Sequence, residues 1–290
     1  MQDVIILDCP EIRCVRVLLY VFDELCGAFK RHGHSVRICN SISDISSIQG
    51  DPIVFMGNSF HITNPCSLLY KQLPNAHYYG WYWQDIPNTN LLPNFTYIYE
   101  NVTLSLNTLP DKIHIMKFIN SIPNKCPLLL RANEDPINVG RYERQSRRDY
   151  CYMGCVYCPD LIPNEKYVGI YYGTNNHDEY LKYEQRKHIY LTSTFALGFQ
   201  SDENILNGHV SQRIYEGLCY GCIVLSNSKV ACVQTEGNVI YVKSKKHIED
   251  IMKFLLDNPQ EIIDKQTAGY EFIKRIGTNE LSYKNLRLKH

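Results

Sequence analysis

Short apolar runs alternate with stretches of helical period along almost the whole chain. This alternation constrains the fold more than any other feature. Val4–Leu7 reads as a buried strand. Arg13–Arg31 follows, with Val17, Leu18, Val21, Leu25 and Phe29 at helical spacing, and Gly33 stops it. Ser35–Cys39, Pro52–Met56 and His77–Trp83 read as further strands, with a short helix at Pro65–Gln72. Phe95–Tyr99, Val102–Leu106 and Ile113–Lys117 extend the series. Such β-α-β alternation implies a parallel sheet with helices on its faces.

The second half repeats the pattern. Tyr150–Tyr157, Tyr167–Tyr172, Phe195–Phe199, Ile223–Leu225 and Val239–Val242 read as strands. Asp178–Thr192, Val210–Tyr220, Ile248–Asn258 and Gln260–Ile276 read as helices, and Gln200–His209 as a polar loop. Between the halves, Arg131–Asp149 is polar, rich in Arg and without apolar period. The expected division is an N-terminal Rossmann-like domain over 1–130, a hinge over 131–149, a C-terminal Rossmann-like domain over 150–276, and a terminal segment over 277–290. The expected fold class is α/β, with two Rossmann-like domains facing across a cleft. Ligands in open α/β sheets lie outside the carboxyl ends of the strands.

Charge and composition narrow the function classes. The 30 Lys and Arg balance the 30 Asp and Glu, which excludes a general nucleic-acid binder. Val4–Leu7 is too short for a signal-peptide core, and no run approaches the ~20 apolar residues of a membrane span. A cytoplasmic location is therefore expected. Twelve Cys stand out. In a reducing compartment they do not form a disulfide framework. Cys14, Cys26, Cys219, Cys222 and Cys232 fall inside apolar runs, where a thiol packs as a small hydrophobe.

The segment richest in chemistry is Phe195–Asn227, FALGFQSDENILNGHVSQRIYEGLCYGCIVLSN. It reads as strand, polar loop, helix, Gly turn and strand. A helix N-terminus after such a loop offers backbone N–H groups and a positive dipole end to a phosphate. Ser211 falls near the helix start, and Arg213 in its first turn, where a guanidinium can grip a pyrophosphate. Glu216 lies three residues on, along the same face. Asn204, Gly208 and His209 line the approach to the helix.

This S-x-R-x-x-E-G-L-x-x-G pattern resembles the nucleotide-sugar site of glycosyltransferases with the GT-B fold, in wording closest to the exostosin-like and CgeB-like groups. Gly221-Cys222-Ile223-Val224 matches their G-C-I-P-V run but lacks the Pro. The resemblance implies transfer of a sugar from a nucleoside diphosphate, UDP favoured, to a hydroxyl of a glycan or other acceptor. It implies no metal and no cofactor beyond the nucleotide-sugar co-substrate. Arg213 would neutralise the leaving diphosphate, and Glu216 would hold the ribose. Gly154 would lie close to the donor. Gly208 stands where retaining members often place a first Glu, which points to inversion. The segment 277–290 would cross back to the first domain, as GT-B chains often do.

An inverting enzyme needs a base for the acceptor hydroxyl. Asp85 ranks first, His61 second and Glu11 third, each following an N-terminal strand. Trp81 and Trp83 can stack on sugar faces, beside Asn58 and Ser59 after the strand Pro52–Met56. Two alternatives stand beside this. Cys151, Cys155 and Cys158 have the C-x3-C-x-aromatic-C spacing of radical SAM enzymes, in which three thiolates hold a [4Fe–4S] cluster. Against it, the 132 residues after Cys158 (290 − 158) are short for the partial barrel such enzymes build after the motif, and the same stretch alternates as a strand. The other alternative is a nucleotide-sugar-binding module without catalysis. The sequence leaves the oligomeric state open.

Overall fold

The computed structural model describes residues 3–7, 26–39, 42–57, 70–82, 97–100, 125–127, 131–132, 134–137, 148–154, 158–172, 183–278 and 286. The chain divides into two compact units, Met1–Leu129 with Asn279–His290, and Leu130–Thr278.

The first unit holds six strands: β1 (Asp3–Leu7), β2 (Ser35–Cys39), β3 (Ile53–Gly57), β4 (His77–Tyr82), β5 (Tyr97–Glu100) and β6 (Lys125–Pro127). They form one parallel sheet in the order β2-β1-β3-β4-β5-β6. Consecutive residues Val4 and Ile5, Ile53 and Val54, and Tyr78 and Tyr79 are all buried. Successive strand side chains point to opposite faces, so both faces of this sheet are covered. β2, at one edge, exposes Ser35, Arg37 and Ile38. Of the helix expected over Arg13–Arg31, residues 26–31 are described, and they bury Cys26, Ala28 and Phe29. The expected strands Val102–Leu106 and Ile113–Lys117 lie outside the described residues. β6 was not expected: three residues with Lys and Pro carry no strand pattern.

The second unit holds β7 (Arg148–Met153), β8 (Gly169–Tyr172), β9 (Ser193–Leu197), β10 (Ile223–Ser226) and β11 (Val239–Tyr241). They too are parallel, in the order β11-β10-β9-β7-β8. Its helices are α1 (Tyr183–Leu191), α2 (Asp202–Asn207), α3 (Gln212–Cys219), α4 (Lys229–Gln234), α5 (Lys245–Asp257) and α6 (Pro259–Ile276). β9 is buried along its whole length. On one face Tyr150, Tyr152, Phe195, Leu197, Ile223 and Leu225 pack under Ile248, Met252 and Leu255 of α5. Ala196 and Val224 alternate to the other face and meet α3 at Gly217. A Cβ at Gly217 would fall 2.8 Å from Val224 Cγ2 and 3.2 Å from the Ala196 Cβ. Only glycine lets the helix lie that close. After α3, Gly221 takes a positive φ of 76°, and the Cys222 N–H closes on the Gly217 carbonyl at 2.8 Å.

Two expectations need correction here. The loop expected over Gln200–His209 contains α2. Ser201 caps it by accepting from the Asn204 N–H, and Gly208 ends it at φ 71°. α5 starts at Lys245, ahead of the expected Ile248, because Ser244 caps it through the His247 N–H. Its first turn is charged, so the apolar period begins later than the helix. Residues 134–137 of the expected hinge are bonded to the second unit's helices. The Ile137 N–H donates to the Cys219 carbonyl at 2.9 Å, and Cys219 Sγ to the Glu134 carbonyl at 3.4 Å. Glu134 also takes Lys187 Nζ of α1 at 2.7 Å. Arg148 and Asp149 belong to β7.

Gly217→Val is expected to lift α3 from the sheet and lower stability by about 2–3 kcal/mol, read as a lower urea midpoint. Burial sets a pH limit as well. It pushes the Cys219 thiol up to about 12, aided by the charge of Glu216, and the Tyr215 hydroxyl up to about 12. The unfolded chain ionises these groups at 9.0 and 10.0. Above that pH the unfolded state loses protons that the folded state keeps, so stability falls as pH rises toward 12. Circular-dichroism melts should give a lower Tm at about pH 11 than at about pH 8, with a smaller drop in Cys219→Ala.

Candidate functional site

In the second unit the chain leaves β7 toward β8 on one side and returns to β9 on the other. The carboxyl ends of β7 and β9 therefore flank a topological switch point, where open α/β sheets bind ligands. Gly154 follows β7 at φ 131°, a backbone state closed to most side chains. Against it lies the guanidinium of Arg213. A Cβ at Gly154 would fall 2.6 Å from Nη1 and 2.8 Å from Cζ. The same guanidinium stands 5.9 Å from the Tyr152 ring centroid, and Nη1 is 3.5 Å from the Phe199 carbonyl. Arg213 thus occupies the switch point itself, held by the ends of both strands.

The loop after β9 is fastened to the end of β10. The Gly198 N–H donates to the Leu225 carbonyl at 2.8 Å, and the Ser226 hydroxyl to the Gly198 carbonyl at 2.8 Å. The Gln200 N–H donates to Asn227 Oδ1 at 2.9 Å, and Asn227 Nδ2 returns a bond to the Gln200 carbonyl at 3.0 Å. Gln200 is 1% exposed. Its Oε1 accepts from the Ser211 N–H at 3.2 Å, while its Nε2 has no partner among the described residues. Ser211 is the N-cap of α3, yet its buried hydroxyl caps nothing and has no partner among the described residues. A buried donor left unmade costs about 1–3 kcal/mol. Both donors lie at the start of α3, the helix that carries Arg213, and a helix start with unused donors can take an anionic oxygen.

Gln200 is the residue that sequence reasoning passed over. Its signal was position: a polar side chain directly after the apolar strand run. Asn204, Gly208 and His209 all fall on α2 or its exit. The Asn204 carbonyl accepts from the His209 N–H at 3.0 Å, and both residues are buried. The left-handed Gly208 turns the chain from α2 toward α3.

Glu216 lies one turn beyond Arg213 in α3. Its carboxylate is 3% exposed and ion-paired with the Arg186 guanidinium of α1. Burial pushes the nearby Tyr190 hydroxyl well above the ordinary phenol range, and the Glu216 charge adds to this.

Cys151 and Cys158 do not face each other across one pocket. Cys151 is fully buried within β7 and alternates away from the face of Tyr150 and Tyr152. Cys158 packs against the cluster on that other face, and its Sγ accepts from Asn227 Nδ2 at 3.4 Å. One cluster would need both thiols on one side. Cys155 lies outside the described residues. Among the described residues no group of three or more His, Cys, Asp or Glu side chains could hold a metal ion.

In the first unit, Trp81 lies in β4 near its carboxyl end, in register with Gly57 of β3 and Tyr99 of β5. Asp85, His61, Glu11, Asn58, Ser59 and Trp83 lie outside the described residues. No helix among the described residues is long and apolar enough to cross a membrane.

No family model matches the chain, and no curated protein matches it in sequence. Solved structures do resemble it over nearly its full length. One is AviGT4, a glycosyltransferase involved in avilamycin A biosynthesis, with a TM-score of 0.58, 8% identity, and 98% of this chain and 96% of that chain covered. A second is Alr3699/HepE of Anabaena in complex with UDP, with a TM-score of 0.59, 7% identity, and 98% of each chain covered. A third is an alpha-glucosyltransferase in complex with UDP and a DNA 13-mer, with a TM-score of 0.59, 8% identity, and 98% and 97% covered. The likeness is one of fold: the chain carries the paired Rossmann-like α/β architecture of GT-B glycosyltransferases.

Proposed function

We propose that this chain is a glycosyltransferase that moves a sugar from a nucleoside-diphosphate sugar to an acceptor hydroxyl. The observation that carries the proposal is the anion seat at the switch point of the second unit. There the Arg213 guanidinium lies against Gly154, and the α3 that carries it begins at the unpartnered Ser211 hydroxyl and Gln200 Nε2. The leaving diphosphate gains negative charge as the glycosidic bond breaks. Fixed donors at that point stabilise the transition state more than the ground state. Arg213 and the helix dipole supply that positive charge from the protein's own groups. Two of the structures that share the fold hold UDP, which favours a UDP-sugar as donor.

In this reading Glu216 accepts the ribose hydroxyls, and Asn204, Gly208 and His209 border the donor. The first unit takes the acceptor. Asp85 leads as the base that receives the acceptor proton, ahead of His61 and Glu11, and the reaction inverts the anomeric centre. Trp81 and Trp83 stack on the acceptor sugar, with Asn58 and Ser59 beside them. The exostosin-like or CgeB-like wording of the α3 segment supports the same donor site.

Isothermal titration with UDP tests the seat. Arg213→Ala is expected to weaken binding by about 2–3 kcal/mol, and Gln200→Leu by about 1–2 kcal/mol, both with an unchanged melt. Gly154→Ala should match Arg213→Ala, because the new Cβ displaces the guanidinium. UDP affinity equal to wild type in Arg213→Ala would overturn the assignment. Slow release of UDP from a UDP-sugar by the wild-type chain, absent in Arg213→Ala, separates an enzyme from a binding module.

A further inference from the structure

Glu216 presents a problem that the donor site alone does not solve. A carboxylate that is 3% exposed has little water to meet its oxygens and needs a counter-charge inside the protein. The counter-charge comes from outside the motif. Arg186 of α1, thirty positions earlier in the chain, donates Nη2 to Glu216 Oε2. Its side chain is 17% exposed, so it is largely shielded from water. The next residue, Lys187, is held by Glu134 at 2.7 Å, which ties α1 down beside this contact. Tyr190, one turn further along α1, is buried within electrostatic reach of Arg186, Glu216 and Arg213. An ionised carboxylate offers about four lone-pair positions. Arg186 engages Oε2 and fixes the plane of the group.

We propose that Arg186 is a positioning residue for donor recognition: it pairs with Glu216 and orients it so that the remaining lone pairs accept the ribose hydroxyls. The proposal rests on the reading of Glu216 as the ribose acceptor. It assigns Arg186 no contact with the phosphates, which belong to Arg213, Gln200 and Ser211.

The test compares UDP with 2′,3′-dideoxy-UDP by calorimetry on the full chain. Wild type should prefer UDP by about 10-fold or more, as two charge-assisted hydrogen bonds imply. Arg186→Ala should lose that preference by weakening UDP while leaving dideoxy-UDP unchanged, and Arg186→Lys should restore part of it. Should Arg186→Ala not fold, Arg186→Ala/Glu216→Gln removes the lone buried charge. That double variant should bind UDP as Glu216→Gln does. A wild-type preference retained in Arg186→Ala overturns the proposal. So does an equal loss for both nucleotides, or a further loss in the double variant. Wild type that binds neither nucleotide, or both equally, refutes the donor-site reading itself.

Discussion

The close seat of α3 on the second sheet is the contact on which the candidate site depends. Gly217 has no side chain, so the helix axis can approach Val224 and Ala196 within van der Waals range. That approach fixes the height of the helix above the strand ends. Four residues earlier, Arg213 then reaches the switch point and fits against Gly154. The neighbouring Glu216 reaches α1 and Arg186. Raising the helix by one methyl group would move Arg213 and Glu216 together and shift Glu216 against Arg186 of α1. Packing and electrostatics are thus one design here: glycines at 154 and 217 clear the space in which the charges meet.

Much of this was legible in the sequence, for definite reasons. Buried parallel strands are continuous apolar runs, so β1, β3, β7, β9 and β10 could be read directly. α3 announced itself through its period, its Ser cap and its terminal glycine. α2 and α4 are six residues each, too short to display a period, and their Ser caps were the available signal. Gln200 was hidden because its role depends on a free Nε2, which no residue pattern expresses. Arg186 was hidden because its partner is on another helix, and side-chain pairing across helices leaves no local spacing. Conversely, the Cys151-Cys155-Cys158 spacing was conspicuous while the strand alternation of β7 set the first of these thiols on the face away from Cys158.

A neutral chain need not have neutral places. Equal totals of acidic and basic side chains exclude a broad basic surface but not one buried guanidinium. Arg213 and Arg186 divide the work in the proposed function. One faces the ligand's charge directly, and the other acts through a carboxylate. Because Glu216 and Arg186 offset each other in the interior, the net positive character of the seat comes from Arg213 and the helix end.

The segment at 134–137 has a practical consequence. It is bonded to the second unit: Ile137 and Glu134 engage Cys219 and Lys187, at the far end of α3 and on α1. A fragment begun at residue 150 would strip those bonds, remove Arg148 from Thr192, and free the Val168 N–H that Asp149 accepts. One begun at residue 130 would carry every one of these bonds. The natural cutting line for isolating the second unit therefore falls before the polar stretch, not after it.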